Sequence, residues 1–213
     1  MPDPAVPVGG RAKRIFDLAL ALPLAVALMP AMIAIAWWVR RDSPGPAIYR
    51  QRRIGFAGRP FTMLKFRTMV VGAERIGAGI AVSDGDERIT RAGRTLRRLS
   101  LDELPQLWNV VRGDMSLVGP RPTVAFQVAA YDARQRGRLR ARPGLTGLAQ
   151  VRGRAGIPWS ERIEIDLEYV ARWSMRLDLA ILARTVVVVL RRRGTYRGPR
   201  GGFDLPLPGP DRH

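Results

Sequence analysis

Apolar residues fill one long stretch near the start of the chain and then give way to short alternations. From Leu18 to Val39 ("LALALPLAVALMPAMIAIAWWV") run 22 residues without a charge, with Arg11, Lys13 and Arg14 before them and Arg40 and Arg41 after. That length matches the apolar thickness of a bilayer, and Trp37 and Trp38 stand where an interfacial anchor belongs. A cleaved signal peptide fits poorly, because the run is too long and no small-residue cleavage site follows it. Pro30, near the middle, removes a backbone hydrogen bond and crowds the preceding turn, and Pro23 adds a second interruption, so a bend is expected. Basic residues flank both ends and give no orientation by the positive-inside rule. Two readings stay open on these residues: a re-entrant helix-break-helix hairpin, or a kinked spanning helix.

Beyond the run, "RDSPGPAIYRQ" supplies a turn, and "AIYRQRRIGFAGRPFTMLKFRTM" reads as two short strands joined around Gly55 to Pro60. Lys65 and Arg67 fall on alternate positions of the second strand and hence on one face, for which a solvated strand face is the plain reading. Val70 to Asp86, rich in glycine, reads as a loop, and "TRAGRTLRRL" as a short basic helix. "WSERIEIDLEYVARWS" has the pattern of an amphipathic helix. "LDLAILARTVVVVLRRR", interrupted by Arg184, is short and charged for a span, and reads as a helix at an interface or in the core, with Arg191 to Arg193 at the headgroups. "RGPRGGFDLPLPGPDRH" reads as a disordered tail. The organisation expected is a tail over residues 1–12, one domain over 13–196 with its membrane segment at about 15–39, and a tail over 197–213.

Charge narrows the partners. The chain of 213 residues has a formal net charge of +18, which calls for an anionic partner: nucleic acid, an acidic membrane surface or a phosphorylated substrate. Lys13 and Lys65 are the only lysines among 36 basic residues. Cysteine is absent and the one histidine is His213, which excludes disulfides, thiolate metal sites and imidazole catalysis from the body of the chain. Chemistry must come from carboxylates, Lys, Arg, hydroxyls or a borrowed metal ion.

In this basic chain, "SLDELPQLWNVVRGDMSLVGPRP" sets Asp102 and Glu103 side by side among Arg97, Arg98, Arg112 and Arg121. Ser100 and Glu103 have the spacing of a capping box for a helix to about Arg112, although Pro105 also fits the first helical position. Either register puts both carboxylates at a helix start, where partial positive charge favours their ionised forms. They could be caps alone, or an acidic nucleophile and metal ligand amid cations, the arrangement suited to a diphosphate substrate. Gly113, Gly119, Pro120 and Pro122 shape a loop that could return Arg121 towards the pair. Seven arginines lie between Arg134 and Arg154, suited to headgroups or a nucleotide diphosphate, or simply a solvated basic loop.

"KRIFD" before the broken apolar run, "DSPGPAIYRQRRIG", "KFRTM", "RRLSLDELPQLWNVVRGDMSLVGPRP" and "RPGLTGLAQVRGR" together resemble the bacterial sugar transferase family, monotopic polyprenyl-phosphate sugar-1-phosphate transferases, over roughly residues 13 to 193 and in its minimal form. The resemblance implies an α+β, mainly helical, membrane-associated domain with a re-entrant N-terminal hairpin broken at Pro30, a small β-hairpin and amphipathic interfacial helices. It implies Asp102 as nucleophile, Glu103 as its partner, both near Mg²⁺, and Lys65, Arg97 and Arg121 as binders of substrate phosphates. The substrates implied are a nucleoside diphosphate sugar and undecaprenyl phosphate, handled at the cytosolic face of the bacterial inner membrane among anionic lipids, for the start of exopolysaccharide, capsule, O-antigen or glycoprotein glycan synthesis. The sequence departs from the family pattern at Met29, where Ser precedes the proline, and at Leu148, where Trp is usual. A noncatalytic basic scaffold or a membrane-tethered nucleic-acid-binding protein is the alternative. It leaves the acidic pair without a role, and no nucleic-acid-binding signature is present. Nothing in the sequence sets the oligomeric state or the sugar.

Overall fold

In the computed structural model, which describes residues 6–76, 85–153 and 157–190, the apolar run forms two helices. α1 (Gly10–Ala27) and α2 (Met29–Asp42) share Leu28 as the end of one and the start of the other, and they are bent by 58° at that point. α1 continues through Pro23, so the second interruption expected there does not occur. Pro30 lies in the first turn of α2, where its missing N–H would have no partner within the helix in any case. Among the described residues no single helix is long and apolar enough to cross a membrane; the bent pair reaches that length and composition only together. Because α1 starts at Gly10 and the Val8 N–H donates to the Arg140 carbonyl at 3.0 Å, the chain is already packed inside the segment read as an N-terminal tail.

The two faces of α1 differ in kind. Lys13, Asp17, Ala21 and Ala25, four residues apart in succession, are buried, while Leu20, Leu22, Leu24 and Val26 are exposed. Lys13 pairs with Asp178 of α8 (Met175–Leu190), and Asp17 accepts the Leu117 N–H at 3.1 Å. Asp178 also accepts from Tyr169 Oη at 2.8 Å and Trp173 Nε1 at 3.1 Å. A buried ammonium and carboxylate are tolerated only when paired and hydrogen-bonded, so this stripe commits one side of α1 to the protein interior.

β1 (Ile48–Ile54) and β2 (Pro60–Phe66) form the antiparallel hairpin read from the alternation, with Tyr49 opposite Lys65 and Arg53 opposite Phe61. Tyr49, Gln51, Arg53 and Lys65 therefore share one face. Arg67 does not join them. It is buried just past β2, where its guanidinium donates to the carbonyls of Ser43, Pro44 and Pro46 and to Ser43 Oγ, stapling the link between α2 and β1. The solvated pair expected of Lys65 and Arg67 is thus split, because strand alternation ends where β2 does.

α3 (Arg91–Leu99) is held at its start twice: Thr90 Oγ1 accepts the Gly93 N–H at 3.0 Å and the Asp42 carboxylate accepts the Ala92 N–H at 2.9 Å. Gly93 packs so closely that a Cβ there would sit 2.0 Å from the Thr68 carbonyl oxygen. The expected capping box is not formed. Ser100 is left-handed at φ 57°, ends α3 and makes no side-chain cap; Leu101–Glu103 form a 3₁₀ turn, and α4 (Gln106–Arg112) starts after Pro105. Glu103 is drawn away from a capping role by cations described below.

The "GDMSLVGPRP" loop contains β3 (Ser116–Val118), which pairs in parallel with β4 (Gly144–Thr146). Between them lies α5 (Ala125–Ala129), and after them come α6 (Leu148–Arg152), α7 (Trp159–Arg172) and α8. The main core gathers Ala21, Ala25, Leu107, Val110, Met115, Val118, Leu148, Tyr169 and Ile181, so Leu148, where the family usually has Trp, is a core residue. Three arginines of the basic stretch are paired: Arg134 with Glu164, Arg152 with Glu168, and Arg138 buried on Asp166 between the rings of Tyr131 and Trp159. Acids spaced along α7 absorb charge that the sequence alone leaves for headgroups. Arg191 to Arg193 and the 197–213 tail lie outside the described residues.

Candidate active site

Four separate pieces of chain meet around the acidic pair. β2 supplies Lys65, α3 supplies Arg97, the 3₁₀ turn supplies Asp102 and Glu103, and the loop after β3 supplies Arg121. Arg121 Nη2 donates to Glu103 Oε1 at 2.7 Å, and Lys65 Nζ lies 3.6 Å from the same oxygen. Arg97 Nε donates to Thr68 Oγ1 at 2.8 Å, and its charge acts on Asp102 together with those of Lys65 and Arg121. All five candidates are thus brought together; Pro30 belongs to the bend between α1 and α2 and not to this site.

The two carboxylates differ. Glu103 is committed to two cations, whereas Asp102, half-buried, makes no hydrogen bond or ion pair among the described residues. Burial, reinforced by the charge of Glu103, pushes the Asp102 carboxyl up to about 6 against the pull of Lys65, Arg97 and Arg121. Burial also lowers Lys65, to about 8, with Glu103 opposing the shift. Arg121 is raised, chiefly by Glu103. A carboxylate that is desolvated yet still ionised at neutral pH has the character of a nucleophile.

A family model for bacterial sugar transferase matches residues 8–192. The chain belongs to the bacterial sugar transferase family. This sugar transferase is 40% identical over 204 residues to the exopolysaccharide production protein ExoY of Sinorhizobium fredii, covering 89% of this chain and 90% of that one. It is 46% identical over 204 residues to the UDP-glucose:undecaprenyl-phosphate glucose-1-phosphate transferase of Caulobacter vibrioides, covering 92% and 75% of the two chains. It is 43% identical over 198 residues to a UDP-galactose-lipid carrier transferase of Erwinia amylovora, covering 86% of this chain but 41% of that one.

In this sugar transferase the site extends beyond the residues singled out from the sequence. Arg53 donates to Gln51 Oε1 at 2.6 and 3.1 Å and to the Pro122 carbonyl at 3.4 Å, and it lies within the field of both Glu103 and Arg121. At the other end of the same strand face, Tyr49 and Gln51 donate to Glu74. The signal for Arg53 was its even spacing from Tyr49, opposite Lys65. As for metal, the described residues contain no group of three or more Asp, Glu, His or Cys side chains able to hold an ion. Asp102 and Glu103 are the carboxylates at hand. Mg²⁺ is commonly held by one or two carboxylates plus substrate phosphates and water, and the adjacent pair fits that open arrangement.

Proposed function

We propose that the protein transfers a sugar-1-phosphate from a UDP-sugar to undecaprenyl phosphate, with Asp102 as covalent nucleophile, at the cytosolic face of the bacterial inner membrane. The observation carrying this reading is the division of the acidic pair, with Glu103 neutralised by Arg121 and Lys65 while Asp102 has no such partner among the described residues. An Asp102 oxygen attacks the β-phosphorus, the bond from that phosphorus to the bridging oxygen breaks, and uridine monophosphate leaves with the bridging oxygen and its electron pair. An oxygen of the lipid phosphate then attacks the same phosphorus and returns Asp102 as a carboxylate. Lys65, Arg97 and Arg121 offset charge on the phosphoryl oxygens during both displacements. Mg²⁺, held by Asp102 and Glu103 with the diphosphate, would supply further charge neutralisation when bound.

Membrane association rests on the bent α1–α2 pair and on the apolar side chains it leaves exposed, Leu20, Leu24, Val26, Ile33, Trp37 and Trp38. A re-entrant hairpin fits the buried Lys13 and Asp17, since both ends of the pair then stay with the same body of protein. Arg40 and Arg41 at the exit favour anionic headgroups. The names of the relatives in Caulobacter and Erwinia support the UDP-sugar and the lipid carrier, and the name of the Sinorhizobium relative supports a place in exopolysaccharide production.

The deciding experiment gives the purified protein labelled UDP-sugar and Mg²⁺ without acceptor. One sugar-phosphate should appear on Asp102, with one equivalent of uridine monophosphate, and undecaprenyl phosphate should then discharge it. Lipid-linked product formed at the wild-type rate by a folded Asp102→Asn protein would overturn the covalent route.

A further inference from the structure

On the site face of the hairpin, Arg53 is a half-buried guanidinium with no carboxylate in ion-pair range among the described residues. Its acceptors, the Gln51 amide oxygen and the Pro122 carbonyl, are neutral. It lies close enough to Arg121 to feel that charge, and burial together with that second cation lowers Arg53 to about 10. Glu103, the carboxylate shared by this neighbourhood, is already taken by Arg121 and Lys65. Arg53, Arg121 and Lys65 thus gather about Glu103, with Asp102 acting also on Lys65 and Arg121 and Glu74 on Arg53. A partly buried guanidinium whose own hydrogen-bond acceptors are neutral is stabilised further by an anion placed beside it.

The fork of Arg53 is also pre-set. Nε and Nη2 share the Gln51 oxygen, and Glu74 accepts from Gln51 Nε2 at 3.4 Å, which fixes which end of the amide faces Arg53. The Pro122 carbonyl follows directly on Arg121 in the chain, so Arg53 is bound to the very loop that presents Arg121. Arg52, the next residue, projects to the opposite face of the strand and is exposed.

We infer that Arg53 is a further substrate-binding residue of this site, taking a phosphoryl oxygen of one of the two phosphate-bearing substrates beside Arg121. The inference rests on reading the site as one of phosphoryl transfer. It does not need the covalent step.

Two constants locate the phosphate. The dissociation constant of the UDP-sugar is measured without acceptor, and the KM of undecaprenyl phosphate at saturating donor, for Arg53→Ala, Arg53→Lys and Arg52→Ala in the full chain. A lost charge-assisted contact to phosphate corresponds to about a 10-fold weakening or more. Arg53→Ala should weaken one constant by that factor while Arg52→Ala leaves both unchanged, and Arg53→Lys should recover part of the loss. A change in the donor constant assigns the nucleotide diphosphate, and a change in the acceptor constant assigns the lipid phosphate. If both constants for a folded Arg53→Ala protein stay within twofold of wild type, or if Arg52→Ala weakens them equally, the inference is wrong. Asp102→Asn run alongside keeps the questions apart, since its activity reports on the nucleophile and leaves the binding constants to decide Arg53.

Discussion

Arg121 Nη2 stands 2.7 Å from Glu103 Oε1, a contact between residues 18 positions apart that leaves two neighbouring carboxylates in unlike electrostatic states. Asp102, next in the chain to the residue so neutralised, keeps its own charge without a partner among the described residues.

The first expectation follows for Asp102→Asn. Release of nucleoside monophosphate from the donor should fall by about 10³-fold or more, because an amide cannot form the acyl phosphate. The raised pKa of Asp102 means that its ionised form weakens the fold at neutral pH, a cost absent below the unfolded value of 3.8 and fully present above about 6. The variant should therefore melt no lower than wild type at pH 7, and up to a few degrees higher, about 2–4 °C per kcal/mol regained. A calorimetric scan alongside the turnover assay checks both.

Glu103→Gln should behave differently. It removes the counter-ion of Arg121 and Lys65 but leaves the attacking oxygen, so trapped sugar-phosphate on Asp102 should remain detectable by intact-protein mass spectrometry while steady-state turnover drops about 10²-fold. Loss of the adduct as complete as in Asp102→Asn would contradict that division of labour.

The rate should be bell-shaped in pH. On the proposed mechanism Asp102 attacks as a carboxylate, so activity should be lost as pH falls through about 6, and Lys65 acts as an ammonium, so activity should be lost as pH rises through about 8. Lys65→Arg should carry the alkaline limb to higher pH. An unchanged limb in that variant would remove Lys65 as its source.

Breaking the pair between Lys13 and Asp178 leaves an uncompensated buried charge. Asp178→Ala should destabilise the protein by about 3–5 kcal/mol, since both partners are nearly inaccessible, at 3% and 0%. Lys13→Met with Asp178→Leu should recover much of that loss. Denaturant melts of the single and double variants test this.

Topology can be read chemically because the chain has no cysteine of its own. Arg11→Cys and Arg50→Cys, both at exposed positions flanking the bent pair, should be modified only by reagents that reach the cytosol. Modification from opposite sides would establish a spanning helix. High salt should not strip the protein from membranes, because an apolar segment is indifferent to screening.

Where the pattern was local, the sequence was legible. The β-hairpin announces itself by two alternating runs around Gly55 to Pro60, and the basic helix by its position after Thr90. The motif residues Lys65, Arg97, Asp102, Glu103 and Arg121, from separate pieces of the chain, come together in the structure. What stayed hidden depends on distant chain. Ser100 and Glu103 have capping-box spacing, yet Glu103 answers instead to Arg121 and Lys65, and no helical spacing records that competition. β3 is three residues long and takes its meaning from Gly144 to Thr146. Arg67 looked like a strand-face residue because nothing in the alternation says that β2 stops at Phe66.

The buried lysine of α1 and its partner are 165 residues apart. During synthesis Lys13 leaves the ribosome long before Asp178, and α8 is made after every other described helix. Throughout that interval the nascent chain carries the Lys13 ammonium without its Asp178 partner, and Asp17, one turn on in the same helix, acts on it. The first described helix is thus latched into the protein by the last described one, and the assembled body registers that translation has reached at least that far.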